Sequence, residues 1–181
     1  MEAASSDAED FRFMREALRT AAAAFNEGEV PVGCVIVRDG EIVSRAHNDT
    51  NATMNATRHA EFVAIDSLPP SVPTLEGCTL YVTIEPCVMC ASALMHLKLS
   101  RCVFGAPNAK FGGCGSVFDL PADVDPPAYT CKAGVLGEEA IQLLRAFYVR
   151  GNEKAPKPHR RVGNTELPDV IVELAKETES G

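Results

Sequence analysis

The stretch Thr79-Leu80-Tyr81-Val82-Thr83-Ile84-Glu85-Pro86-Cys87-Val88-Met89-Cys90 decides how the rest of the chain is read. Its first half is a short β-rich run, too apolar to alternate cleanly, as expected of a central strand buried on both faces. Pro86 suits the opening of a helix, where its missing N–H costs nothing, and the helical pattern continues from Cys87 to Leu97. Cys87 and Cys90 are then one helical turn apart. Both sulfurs project to one side, and the positive end of the helix dipole favours their thiolate forms. Two thiolates can grip one side of a tetrahedral metal, and a third ligand from elsewhere leaves the fourth position open to water, which separates a catalytic zinc from a structural one. A second C-x-x-C, which would argue for a closed structural site, does not occur in the chain.

The third ligand should be a histidine, and His47, His59, His96 and His159 compete for the place. His59 is favoured because it opens a helix as Cys87 does. Two helices that follow neighbouring strands can bring their N-termini together at one edge of a sheet, where α/β ligand sites lie. His96 sits roughly 9 Å from Cys90 along the helix axis at 1.5 Å per residue, and is expected to be a surface or packing residue. His47 is a candidate for the pocket border, and His159 falls in a basic tail. Glu61 follows His59 by two residues, so a regular helix would point the two side chains to nearly opposite sides, against joint ligation. With one zinc held by His59, Cys87 and Cys90, the pKa of a bound water falls toward roughly 7. Glu61 is then the candidate proton carrier, base first and acid second.

The remaining sequence supplies a framework for this site. Phe11, Met14, Leu18 and Phe25 recur at helical steps between about Asp7 and Glu27, and Gly28 ends that helix. Val32 to Val37 and Glu41 to Ala46 flank Asp39-Gly40, the signature of a β-hairpin. A polar loop, 48–57, leads to a helix expected over Arg58 to Leu68 with His59 in its first turn. Cys102 to Phe104 reads as a strand, Gly105 to Ser116 as a loop with four glycines, Tyr129 to Lys132 as a short strand, and Glu138 to Val149 as the last core helix. This order predicts an α/β fold of three α-β-α layers with a five-stranded mixed sheet.

Composition bounds the rest. A chain of 181 residues with 46% hydrophobic residues suits one domain with a real core, expected over 1–151, followed by a basic and then acidic tail over 152–181. No run approaches the roughly 20 apolar residues of a membrane span, and the acidic start is unlike a signal peptide, so an intracellular protein, nuclear or cytoplasmic and without a membrane partner, is expected. In that compartment the seven cysteines are metal ligands or small core residues rather than disulfides. Cys34, Cys78 and Cys102 read as core, and Cys114 and Cys131 as loop residues. Net charge is −8, a poor start for holding RNA unaided, but Lys154, Lys157, Arg160 and Arg161 form one basic island.

H-x-E followed by P-C-x-x-C is the signature of zinc nucleobase deaminases. Asn55-Ala56-Thr57-Arg58-His59-Ala60-Glu61, Leu80 to Cys90, and Phe111-Gly112-Gly113-Cys114-Gly115-Ser116-Val117 resemble the tRNA-specific adenosine deaminases over about residues 10–160. The third motif is similar to the catalytic subunit of the eukaryotic heterodimeric enzyme. The resemblance implies a cytidine-deaminase-like fold and a hydrolase that converts adenosine to inosine at the tRNA wobble position, an RNA-editing reaction. It implies zinc on His59, Cys87 and Cys90 and proton transfer by Glu61. It also implies that Asn48 hydrogen-bonds the purine, that Val32 and Ala60 line its pocket, and that Asn108 and Lys110 approach the sugar and phosphate. The partners it implies are tRNA and a second deaminase-like subunit lacking the catalytic Glu, with Lys154, Lys157, Arg160 and Arg161 contacting phosphates. Two other readings stand beside this one: a deaminase of free cytosine, guanine or nucleotides, which shares the zinc motif, and a zinc-containing scaffold subunit without turnover, against which Glu61 speaks.

Overall fold

A helix whose apolar residues return every three or four positions has one face to bury, and α1 (Asp7–Glu27) buries Phe13, Met14, Ala17, Leu18, Ala21 and Phe25. The computed structural model describes residues 7–150 together with Asp169, Val172 and Glu173. After α1 the chain forms a hairpin from β1 (Gly33–Arg38) and β2 (Glu41–His47). Asp39 and Gly40 both take positive φ, 51° and 77°, the geometry whose twist matches that of the paired strands. There follow α2 (Ala60–Asp66), β3 (Cys78–Ile84), α3 (Val88–His96), β4 (Arg101–Ala106), β5 (Thr130–Lys132) and α4 (Gly137–Arg150).

The five strands make one sheet in the order β2-β1-β3-β4-β5, with β3 at its centre as its apolar sequence predicts. Pairing of β1 with β2 and β3 is antiparallel, while β3–β4 and β4–β5 are parallel, so the sheet is mixed. Side chains alternate across it. Cys34, Ile36, Leu80, Val82, Cys102 and Phe104 share one core with Ala60 and Ala64 of α2 and Ala91 and Leu94 of α3. Val35, Val37, Tyr81 and Val103 face Phe13, Met14 and Ala17 of α1 on the other side, where Leu143 and Phe147 of α4 also pack against α1. This is the expected three-layer α-β-α arrangement. Asp10 pins the second layer to the sheet: fully buried, it accepts hydrogen bonds from Arg101 at 2.7 and 2.8 Å, Lys132 at 2.6 Å and Tyr81 Oη at 3.0 Å.

Three sequence expectations change. α2 starts at Ala60 and α3 at Val88, so His59 and Cys87 are not in the first turns; they are the extended residues that precede them, with ψ of 157° and 166°. Neighbouring loops hold them there. Asp49 N–H donates to Arg58 C=O at 2.9 Å, and Val88 N–H to Phe111 C=O and Gly113 N–H to Pro86 C=O, each at 2.9 Å. The strands that feed the two helices, β2 and β3, are not adjacent but flank β1. Cys114 and Cys131 also differ from their loop reading: Cys114 is buried in the core, and Cys131 lies in β5 opposite Cys102. The 151/152 boundary and the basic island Lys154, Lys157, Arg160 and Arg161 lie outside the described residues. Within 162–181 the described residues Asp169, Val172 and Glu173 are helical. No helix among the described residues is long and apolar enough to cross a membrane.

Candidate active site

His59 and Cys87 end their extended segments at the same place. His59 Nδ1 lies 3.5 Å from Cys87 Sγ and 3.6 Å from Cys90 Sγ, and the two sulfurs are 3.6 Å apart. Zn–S bonds of about 2.3 Å and a Zn–N bond of about 2.0–2.1 Å at tetrahedral angles give edges of roughly 3.8 Å between sulfurs and 3.6 Å from nitrogen to sulfur. The donor set therefore fits zinc in both chemistry and size. It is the one group of three or more His, Cys, Asp or Glu ligand atoms among the described residues that could hold a metal ion. Hydrogen bonds from Cys90 and His59 pull the Cys87 thiol down to about 4, while sharing that proton and burial push Cys90 up, and the Cys87 thiolate raises His59.

Glu61 sits in the first turn of α2, 4% exposed. Because His59 is extended, the opposed directions expected of a regular helix do not apply, and both side chains face one cavity. Burial pushes the Glu61 carboxyl up to about 7, within reach of neutral pH for taking up and returning a proton. The cavity, of about 350 Å³, is also lined by Val32, Asn48, Ala56, Asn108 and Phe111. Asn48 is 7% exposed, and its Oδ1 accepts the Ala60 N–H at 2.8 Å, which fixes the amide and leaves Nδ2 as the donor it can offer. Ala60 itself is fully buried. Lys110 is exposed on the loop beyond Asn108. His47 faces Glu27, its Nε2 3.6 Å from that carboxylate, and His96 is exposed at the end of α3.

Two buried carboxylates that sequence reasoning passed over frame the site. Glu29 accepts hydrogen bonds from Asn51 N at 2.6 Å, Asn51 Nδ2 at 2.7 Å and Thr50 Oγ1 at 3.0 Å, tying down the loop that carries Asn48. Glu85 accepts from Asn108 N at 2.8 Å, from Cys114 N and Ser116 N at 3.0 Å each, and from Ser116 Oγ. Burial opposes its charge, yet these donors hold its carboxyl below the usual carboxylate range. The one sequence signal was a carboxylate closing an apolar strand, which a buried position tolerates only with several donors.

Residues 7–106 match the model of the cytidine and deoxycytidylate deaminase zinc-binding region. The tRNA-specific adenosine deaminase 2 of Danio rerio is 43% identical over 86% of this chain and 78% of its own length. The chain belongs to this deaminase family, among the tRNA-specific adenosine deaminases. The deaminase is also 41% identical to the tRNA-specific adenosine deaminase subunit tad2 of Schizosaccharomyces pombe, over 86% of this chain and 41% of that protein. A solved structure from work on A-to-I editing by tRNA deaminases at the wobble position of transfer RNA superimposes with a TM-score of 0.69, at 33% identity, covering 74% of the deaminase and 99% of that chain.

Proposed function

We propose that this chain is the catalytic subunit of a zinc-dependent heterodimer that hydrolyses adenosine to inosine at the wobble position of tRNA anticodons, its partner being a deaminase-like subunit without the catalytic glutamate. The observation that carries the reading is the buried Glu61 carboxylate set in one cavity with His59 and Cys87, whose donor atoms group with Cys90 Sγ, in a chain whose relatives are named tRNA-specific adenosine deaminases. The term subunit in the fission yeast relative's name supports the partner.

Zinc, when bound by His59, Cys87 and Cys90, supplies Lewis-acid activation of water. The chain's own residues do the rest. Glu61 takes the proton from the attacking water, delivers it to the purine ring nitrogen, and then helps protonate the leaving amine. Adenosine and water become inosine and ammonia. Asn48, its Oδ1 committed to Ala60, donates through Nδ2 to an acceptor on the purine, and Val32 packs on the ring. Asn108 and Lys110 reach the sugar and phosphate. Lys154, Lys157, Arg160 and Arg161 add sequence-blind phosphate contacts, while most of the grip on RNA comes from the partner, a division with which the net charge of −8 agrees. The test is an inosine assay on tRNA with the partner present, alongside free cytosine, guanine and nucleosides. Turnover of the free compounds with none of tRNA would favour the free-nucleobase reading instead.

A further inference from the structure

Glu85 is 2% exposed and stands two residues before Cys87, at the point where β3 ends and the ligand helix begins. Its two carboxylate oxygens take four hydrogen bonds, all from one loop. Oε2 receives Asn108 N–H and Ser116 Oγ, and Oε1 receives the N–H groups of Cys114 and Ser116. The same loop is sewn to the metal-ligand segment by Val88 N–H to Phe111 C=O and by an isolated β-bridge between Cys87 and Gly112. The anchored Asn108 and, between the anchors, Phe111 both line the cavity. The fit against the clamp is close: a Cβ on Gly112 would come within 2.6 Å of both Glu85 oxygens and 2.7 Å of Asn108 C=O.

A buried carboxylate with every acceptor direction used is a rigid fixture, and charge-assisted hydrogen bonds to backbone N–H groups are the strong kind. It reaches neither His59 nor Glu61 through any of these bonds. We propose that Glu85 is a positioning residue for the RNA substrate: it shapes the 108–116 loop so that Asn108 and Phe111 meet the target nucleotide, and it acts through that loop rather than on metal or proton. This rests on the tRNA deaminase reading above.

The test uses the zinc-loaded heterodimer with Glu85→Gln. The amide side chain keeps the shape but has one acceptor oxygen in place of two and turns an N–H₂ toward donors. Zinc content is expected to equal wild type, KM for tRNA to rise on the order of tenfold, and kcat to change much less. In hydrogen exchange, the amides of Asn108, Cys114 and Ser116 are expected to lose protection while those of β3 and β4 keep theirs. Gly112→Ala, which leaves the carboxylate intact but crowds it, should give the same KM-weighted pattern and covers the case in which Glu85→Gln fails to fold. Unchanged KM and unchanged loop exchange in a folded variant would overturn the proposal, as would zinc loss in both variants, which would make Glu85 part of the metal site's support alone. If wild-type protein makes no inosine in tRNA, the functional reading fails, and the exchange measurement still decides whether Glu85 holds the loop.

Discussion

His59 Nδ1 and Cys87 Sγ lie 3.5 Å apart although 28 residues separate them, and each belongs to the extended residue that immediately precedes a helix. Two helix openings facing one another across β1 create a preformed three-ligand corner, and Cys90 completes it one turn into α3. The chemistry of the site follows from that corner and from Glu61 beside it.

Metal removal is the simplest consequence. A chelator should strip the wild-type protein of zinc and lower its Tm, because an ion that binds only the folded state stabilises it by mass action. His59→Ala, Cys87→Ser and Cys90→Ser should each carry background zinc and show no further Tm change with chelator. Stoichiometric zinc in any of the three would remove that residue from the ligand set.

The role proposed for Asn48 on the purine and the bond it makes to Ala60 can be separated by substitution. Asn48→Ala removes the donor into the cavity and also strips the buried Ala60 N–H of its acceptor, at a cost of about 1–3 kcal/mol. Asn48→Asp keeps an acceptor for Ala60 but offers no N–H. It should recover most of the lost thermal stability and none of the activity. Recovery of activity by the aspartate would show that the side chain serves only to brace α2.

Asp10 should be among the most sensitive positions outside the site. Asp10→Ala leaves the Arg101 guanidinium, 22% exposed, without its two-bond carboxylate partner and removes one hydrogen-bond acceptor from Tyr81 Oη. Breaking a buried pair from one side costs about 3–5 kcal/mol. A Tm drop on the order of 10 °C follows for a domain of this size. A loss below about 1 kcal/mol in denaturant unfolding would mean that the network is screened by solvent.

How much of this was legible in the sequence differs by element, and the difference is physical. α1 and the Asp39-Gly40 hairpin depend on local periodicity and turn geometry, and both were readable to within one residue at their boundaries. The grouping of His59, Cys87 and Cys90 was readable too, since Cys87 and Cys90 lie within one turn and His59 opens another helix. Their conformation was not. His59 is held extended by the loop that precedes it, where Asp49 N–H donates to Arg58 C=O, and Cys87 by the later loop around Phe111, whose C=O accepts Val88 N–H, tertiary contacts that no local pattern encodes. Glu29 and Glu85 were hidden for the same reason, because a carboxylate reveals itself as a clamp only when the donors it gathers are seen around it.

The basic island yields a prediction in solution. Replacing Lys154, Lys157, Arg160 and Arg161 with alanine should weaken tRNA binding by the heterodimer. The slope of log K against log salt should flatten by about 0.7–0.9 for each phosphate that the variant no longer neutralises. An unchanged slope would assign the island to solvent.

Glu61 carries the central claim, that one buried carboxylate moves the proton while three other side chains hold the metal. The heterodimer carrying Glu61→Ala should be assayed for inosine in tRNA and for zinc in the same preparation. The expected result is zinc at the wild-type level with inosine formation abolished, because the ligands His59, Cys87 and Cys90 are intact and only the proton carrier is gone. Undiminished inosine formation by the zinc-loaded variant would contradict it.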